Sequence, residues 1–191
     1  MKRVVWHWTG GGNTANDVDR RAYHHIVNGD GTVVNGVHPH SANARIDNPW
    51  DASTYAAHVA RLNTGSIGTA VAGMGGAVER PFTPGPRPIN MRQVEVLARL
   101  TAEHCRQYGI PVSRETTLSH AEVQPTLGVA QRFKWDLIWL PDMEAPGDAL
   151  AVGDRLRAMV AAVLRESPPA ASTEPRRGLS ALWQRLRNRG S

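Results

Sequence analysis

At 191 residues the chain has room for one domain and an appendage, and its 41% hydrophobic and 20% charged residues are typical of a globular protein. No apolar run approaches the ~20 residues that a transmembrane helix needs. The N-terminus lacks the apolar region of a signal peptide, so we expect synthesis in a cytoplasm without an export signal. The single cysteine, Cys105, excludes an internal disulfide and a cysteine-rich zinc site.

The net charge of +5 is concentrated at the C-terminal end of the chain. Residues 175–191 contain five arginines and no acidic residue, which leaves 17 basic and 17 acidic residues in the remainder. A nucleic-acid-binding domain normally has a basic face. The balanced charge of the body therefore argues against a nucleic-acid partner.

The first elements of the chain are a strand, a short helix and a hairpin. Residues 3–8 are apolar, β-branched or aromatic and precede three glycines, which predicts a buried strand with His7 at its end. Asn16 is a candidate cap for a short helix that ends at Ala22. Strand-like runs on both sides of Asn-Gly-Asp-Gly predict a hairpin over residues 23–36, with Tyr23 starting its first strand.

The next stretch combines an irregular excursion with a second buried strand. Residues 37–54 are rich in Pro, Asn, Ser and His and show no periodicity, which is typical of a long loop. His38 and His40 could share a metal if this part is a strand, or they could be surface histidines. Residues 66–73 are small or β-branched, as expected for a central strand.

The second half predicts two amphipathic helices and one strand. Asn90 caps a helix that ends near Tyr108, and residues 148–166 form another. Residues 112–120 predict a strand that ends on His120, followed by a loop over residues 121–133. Strands that alternate with helices predict an α/β fold with a central mixed β-sheet flanked by a few α-helices.

The last part of the chain has the composition of a linker and a basic amphipathic helix. We expect a catalytic domain over residues 1–166, a Pro/Ala/Ser linker over 167–175 and a helix over 176–191. Apolar residues recur at helical spacing around Trp183, while Arg185 and Arg187 stand elsewhere on the helix. This pattern predicts contact with an anionic membrane or lipopolysaccharide; a helix docked on its own domain or a solvated tail is the alternative.

The stretch from Leu118 to Pro141 carries the strongest signal for chemistry. His120 and Asp136 are ordinary zinc ligands, and a catalytic zinc usually has three protein ligands and a water. Two ligands leave the site one short. We expect His7, at the end of the first strand, to be the third.

Five motifs in order connect these residues to a known family. They are Val5-Trp6-His7-Trp8-Thr9, Tyr23-His24 with Asp30-Gly31-Thr32, His58 with Ser66-Ile67-Gly68, His120-Ala121-Glu122-Val123-Gln124-Pro125, and Lys134-Trp135-Asp136. In these motifs the chain resembles the zinc-dependent N-acetylmuramoyl-L-alanine amidases of the type-2 amidase and peptidoglycan recognition protein superfamily, especially compact phage endolysins. The resemblance covers roughly residues 3–141.

The resemblance implies a site and a reaction. It implies Zn²⁺ held by His7, His120 and Asp136, with Tyr23 and Lys134 as catalytic residues. The substrate would be peptidoglycan, cleaved between N-acetylmuramic acid and L-alanine. A lysis enzyme of this kind would be a monomer that acts on the cell wall or in the periplasm, and it would need a holin-type partner to leave the cytoplasm.

Two further residues and several departures qualify the resemblance. His58 matches a cleft histidine that could contact substrate, and for Glu122 a structural hydrogen-bonding role is favoured over that of a general base. Residues 37–57 look inserted, and the loop between His120 and Lys134 is longer than in compact relatives. A muropeptide-recycling amidase and a non-catalytic peptidoglycan-binding module remain as alternatives, whereas a zinc deaminase is rejected because its Pro-Cys-x-x-Cys motif is missing.

Overall fold

A five-stranded mixed β-sheet organises the protein in the computed structural model, which describes residues 1–132 and 134–166. The strands are β1 (Arg3–Trp8), β2 (His25–Val27), β3 (Val33–Asn35), β4 (Ser66–Val71) and β5 (Thr117–Ser119). The helices are α1 (Asp17–Ala22), α2 (Met91–Tyr108), α3 (His120–Leu127) and α4 (Ala149–Glu166), with a 3-10 turn over His40–Asn43. The strand order is β3-β2-β4-β1-β5, and only the β2–β3 pair is antiparallel. The expected α/β class with a central mixed sheet is confirmed.

Strand β1 divides the molecule into two faces because alternate side chains of a strand point to opposite sides of the sheet. Val4, Trp6 and Trp8 belong to the main core, together with the buried sides of α2 and α4. The Trp6 indole donates to the Thr101 hydroxyl of α2 at 2.8 Å. Val5 packs on the other face, against α3. His7 shares that second face, away from α2.

The region around His120 differs from the sequence-based prediction. The strand ends at Ser119, and His120 is the first residue of a helix where a loop was expected, so that prediction was wrong. Ser119 is the N-cap of this helix, and the Glu122 carboxylate accepts from the Ser119 backbone N–H at 2.7 Å. The Ser-x-x-Glu spacing is a known helix start and explains the difference. Tyr23 likewise does not start a strand: it caps the C-terminus of α1, and β2 begins at His25.

The excursion over residues 37–57 is held to the domain by a buried asparagine. Asn43 lies at the end of the 3-10 turn, and its side chain donates to Ala56 O at 2.9 Å and accepts from Ala56 N at 2.9 Å. It also donates to Asn63 O at 3.2 Å. These bonds hold Asn43 and Ala56 of the excursion together and tie them to Asn63, just before β4.

None of the helices within the described ranges has the length and apolar character needed to cross a bilayer. The predicted linker (167–175) and basic helix (176–191), with the proposed envelope contacts Trp183, Arg185 and Arg187, lie outside the described residues.

Candidate active site

Three side chains from distant parts of the chain meet on the face of the sheet opposite α2. His7 comes from the end of β1, His120 from the first turn of α3, and Asp136 from the loop that follows α3. His7 Nδ1 lies 3.2 Å from Asp136 Oδ2, His120 Nδ1 lies 3.4 Å from the same oxygen, and the two Nδ1 atoms are 3.1 Å apart. The three atoms thus form a nearly equilateral triangle. All three residues are buried.

In both histidines the outer ring nitrogen, Nε2, which lies outside the triangle, contacts another side chain. His120 Nε2 lies 2.9 Å from Gln131 Oε1, and Gln131 Nε2 donates to Ala60 O at 2.9 Å, which fixes the orientation of the amide. His120 Nε2 therefore carries the proton, and its Nδ1 lone pair points into the triangle. His7 Nε2 lies 3.1 Å from His58 Nδ1. Such outer partners set the tautomer and the orientation of metal-binding histidines.

The electrostatics of the triangle are those of a preformed cation site. Burial alone would raise the pKa of Asp136, but the neighbouring imidazoles of His120 and His7 outweigh it and hold this pKa well below its usual range. Burial lowers the pKa of His7 to about 4, against the opposing effect of Asp136. At neutral pH the triangle therefore presents a carboxylate and neutral imidazole nitrogen, which are the forms that bind metals.

The size of the triangle agrees with a zinc ion. Zinc is bound at about 2.0–2.2 Å by imidazole and carboxylate, so two ligand atoms of a tetrahedral site lie roughly 3.3 Å apart. The three measured edges of 3.1–3.4 Å are close to this value. The donor set of two imidazoles and a carboxylate also suits zinc.

The His58 ring lies against the sheet at a position where only a glycine in the strand leaves room for it. Its ring lies over Gly68 of β4, where an added Cβ would be 2.5 Å from ring atoms. The His58 and Val59 amides both donate to Asn63 Oδ1 at 3.0 Å, which fixes the loop that carries the ring. The Ser-Ile-Gly motif thus provides room for His58 beside His7. A substrate contact by His58 stays a prediction.

Tyr23 and Lys134 lie at the border of the triangle. The Tyr23 ring is 5.1 Å from that of His7, and burial raises the pKa of Tyr23 well above its usual value, so the phenol is neutral and can donate. Lys134 is exposed and lines a cavity of about 610 Å³ together with His58 and His120. Lys134 therefore shares a cleft with His120, one of the three residues of the triangle. The catalytic roles of Tyr23 and Lys134 stay predictions.

The match of a family model decides what kind of site this is. The model for N-acetylmuramoyl-L-alanine amidase matches residues 1–136, which is more than half of the chain and ends at Asp136. The chain belongs to this amidase family. This confirms the resemblance to the amidase superfamily and supports a peptidoglycan amidase, with peptidoglycan as its substrate. A search of curated proteins found no match.

Glu122 does not face the amidase site; it stabilises the start of the helix that carries His120. It is fully buried, accepts from the Ser119 amide at 2.7 Å, and pairs with Arg157 Nη2 of α4 at 2.7 Å. A Cβ on Gly153 would meet the Glu122 carboxylate at 2.1 Å, so α4 can approach only because it has a glycine there. Glu122 thus has the structural hydrogen-bonding role that the sequence favoured.

Sequence reasoning missed two residues that shape the amidase site. Gln131 binds the outer nitrogen of His120, but it lies in a loop without periodicity and nothing in the sequence marks it. Arg157 is 6% exposed and reaches Glu122 from the buried side of α4. The one signal in the sequence was that Arg157 is a charged residue near the buried stripe of a predicted helix. Such a residue needs an acidic partner, and Glu122 had none assigned to it.

Proposed function

We propose that this amidase hydrolyses the bond between N-acetylmuramic acid and L-alanine in peptidoglycan, with Zn²⁺ held by His7 Nδ1, His120 Nδ1 and Asp136 Oδ2. The observation that carries the proposal is the buried triangle of these three atoms with edges of 3.1–3.4 Å. Such an ion supplies a Lewis acid for the scissile carbonyl and lowers the pKa of a bound water to about 7.

The residues of the chain would then divide the remaining work. Hydrolysis adds water across the amide: a C–O bond forms, the C–N bond breaks, and the proton released from water reaches the leaving amine. The Lys134 ammonium, exposed at the cleft, would donate to the carbonyl oxygen as negative charge develops there. The neutral Tyr23 phenol would hydrogen-bond the attacking water or the tetrahedral centre. His58 and Gln131 would hold the rings of the ligand histidines in the orientation that the metal needs.

Within the family we propose the role of an endolysin. The motifs from His7 to Asp136 resemble those of compact phage enzymes, and an exposed Lys134 beside the triangle fits catalysis better than simple binding. The enzyme would act on the cell wall after release by a holin-type partner, and residues 176–191 would contact anionic envelope lipids. A muropeptide-recycling amidase is the alternative within the same chemistry.

Digestion of purified sacculi tests the reaction. We expect new amino groups on L-alanine without new reducing sugar ends, loss of activity with a chelator, and recovery on addition of ZnCl₂. Asp136→Asn should be inactive under all three conditions. New reducing ends, or full activity after exhaustive chelation, would overturn the proposal. Activity on soluble muropeptides with none on intact sacculi would assign the enzyme to recycling.

A further inference from the structure

A second cluster of histidines lies on the α2 side of the sheet. His25 begins β2, His40 begins the 3-10 turn of the excursion, and His104 lies on α2. His25 Nε2 and His40 Nε2 are 2.8 Å apart, and one ring nitrogen from each of the three residues lies within 4.8 Å of the others. The rings of His25 and His104 stack at 4.9 Å, and that of His40 meets His104 edge-on at 4.9 Å.

His104 makes this cluster unusual because its imidazole is buried without a hydrogen-bond partner. The residue is 4% exposed, and neither of its ring nitrogens bonds to any group in residues 1–132 and 134–166. A buried polar group without a partner is destabilising, because it has given up its hydrogen bonds to water. Its neighbours are the rings of His25 and His40, so a cation shared among the three would satisfy the imidazole.

The outer nitrogens of the other two rings are held as they are at the catalytic triangle. His25 Nδ1 lies 3.0 Å from Asn35 Oδ1, and His40 Nδ1 lies 2.8 Å from the Tyr108 hydroxyl. When His25 Nδ1 donates to Asn35, its Nε2 lone pair points at His40. Partners on the outer nitrogen that turn the other nitrogen inward are the usual support of metal-binding histidines.

We propose that His25, His40 and His104 bind a second Zn²⁺ ion, which has a structural role. The ion would join three separate parts of the chain: strand β2, helix α2, and the excursion over residues 37–57. The nitrogen separations, from 2.8 Å to at most 4.8 Å, bracket the roughly 3.3 Å of a tetrahedral zinc site, so binding needs only small side-chain shifts. Three imidazoles without a carboxylate favour zinc over magnesium or calcium.

The surroundings leave room for a fourth ligand. A cavity of about 410 Å³ lies beside the cluster and is lined by His25, His38 and His40. A water from this cavity could complete the coordination. His24 and His58 stand between this cluster and His7, with ring centroids 5.2 Å from His40 to His24, 5.8 Å from His24 to His58 and 5.1 Å from His58 to His7. The second site is therefore distinct from the catalytic one.

Metal content of the full chain tests the proposal. The protein is loaded with ZnCl₂, freed of loosely bound metal by gel filtration, and measured by mass spectrometry for zinc per chain. We expect two equivalents for the wild type and one for His104→Gln and His40→Gln. His38→Gln is the matched control, since His38 lines the same cavity but is outside the cluster, and it should retain two. If buried His104→Gln fails to fold, the half-buried His40→Gln carries the test.

Combination with a catalytic-site variant separates the two sites. Asp136→Asn should hold one equivalent, and His40→Gln with Asp136→Asn none. If the wild type holds one equivalent of zinc and only Asp136→Asn removes it, the second site is overturned and the catalytic proposal stands. Two equivalents in His40→Gln and His104→Gln would also overturn it. The melting temperature gives a second readout: the rise on adding ZnCl₂ to Asp136→Asn should disappear in the double variant and should not occur with MgCl₂.

Discussion

His58 Nδ1 lies 3.1 Å from His7 Nε2, on the side of the His7 ring that faces away from Asp136. His58 is 7% exposed, and its ring rests on the backbone of Gly68. When His7 Nδ1 serves as a ligand, the ring proton is on Nε2. Among the described contacts, only His58 Nδ1 can accept a hydrogen bond from it. His58 therefore acts on the metal site through His7, whatever it contributes to substrate binding.

Replacement of His58 by alanine should weaken metal binding. Loss of such an outer partner typically costs about 10–100-fold in metal affinity. We expect a fall of this size in zinc affinity, measured by competition with a chromogenic chelator, and no such fall in His38→Ala. A raised KM with unchanged zinc affinity would instead show that His58 acts as the substrate contact suggested by the sequence.

Gly68→Ala should disturb the same contact from below. Its Cβ would lie 2.5 Å from the His58 ring, so the ring or strand β4 must shift. Overpacking of this kind costs typically 1–3 kcal/mol. We expect a lower melting temperature together with weaker zinc binding. Gly12→Ala is the control, because no described atom lies within 4 Å of its added Cβ and its backbone needs no positive φ. Equal behaviour of the two variants would contradict the role given to Gly68.

Lys134→Ala should separate catalysis from metal binding. Lys134 is exposed at the cleft and is not one of the ligand atoms of the triangle. Loss of one oxyanion donor lowers kcat by about 10²–10³. We expect this loss with zinc content unchanged. Lys2→Ala replaces the other lysine of the chain and should keep full activity. Unchanged turnover in Lys134→Ala would remove it from the mechanism.

The sequence predicted elements better than it predicted which side chains meet within them. The strand Arg3–Trp8 and helix α2 were predicted closely, since a run of apolar, β-branched and aromatic residues and the Asn90 cap are local signals. The convergence of His7, His120 and Asp136 came from motif order, because no local rule brings residues together across 129 positions. The Gln131 support and the His25, His40 and His104 cluster depend on tertiary packing alone. From the sequence, a metal at His40 was considered only in combination with His38 on a strand. His40 instead begins a 3-10 turn.

Asp154 should contribute to stability in a way that depends on pH. Hydrogen bonds from Arg114 and then Arg157 hold the pKa of this carboxyl below its usual value. A lowered folded-state pKa stabilises the protein above the unfolded value of about 3.8, and this stabilisation is lost as pH falls through the folded value. Asp154→Asn should therefore lower the urea midpoint at pH 7, and the difference from wild type should shrink below pH 3.8. Asp17→Asn, at an exposed pair, is the control. A difference that grows toward low pH would contradict this sign.

Arg157→Met should be among the most destabilising changes in helix α4. Arg157 Nη2 is 2.7 Å from Glu122 Oε1, and both side chains are buried, at 7% and 0% exposure. Removal of one partner leaves a buried charge uncompensated, which costs about 3–5 kcal/mol. The damage should reach the active site, since Glu122 caps the helix that begins with His120. Urea denaturation of Arg155→Met supplies the comparison: its partner Asp142 is exposed, so the loss should be at most about 1 kcal/mol. Similar losses in the two variants would mean that the buried pair does not hold α3 in place.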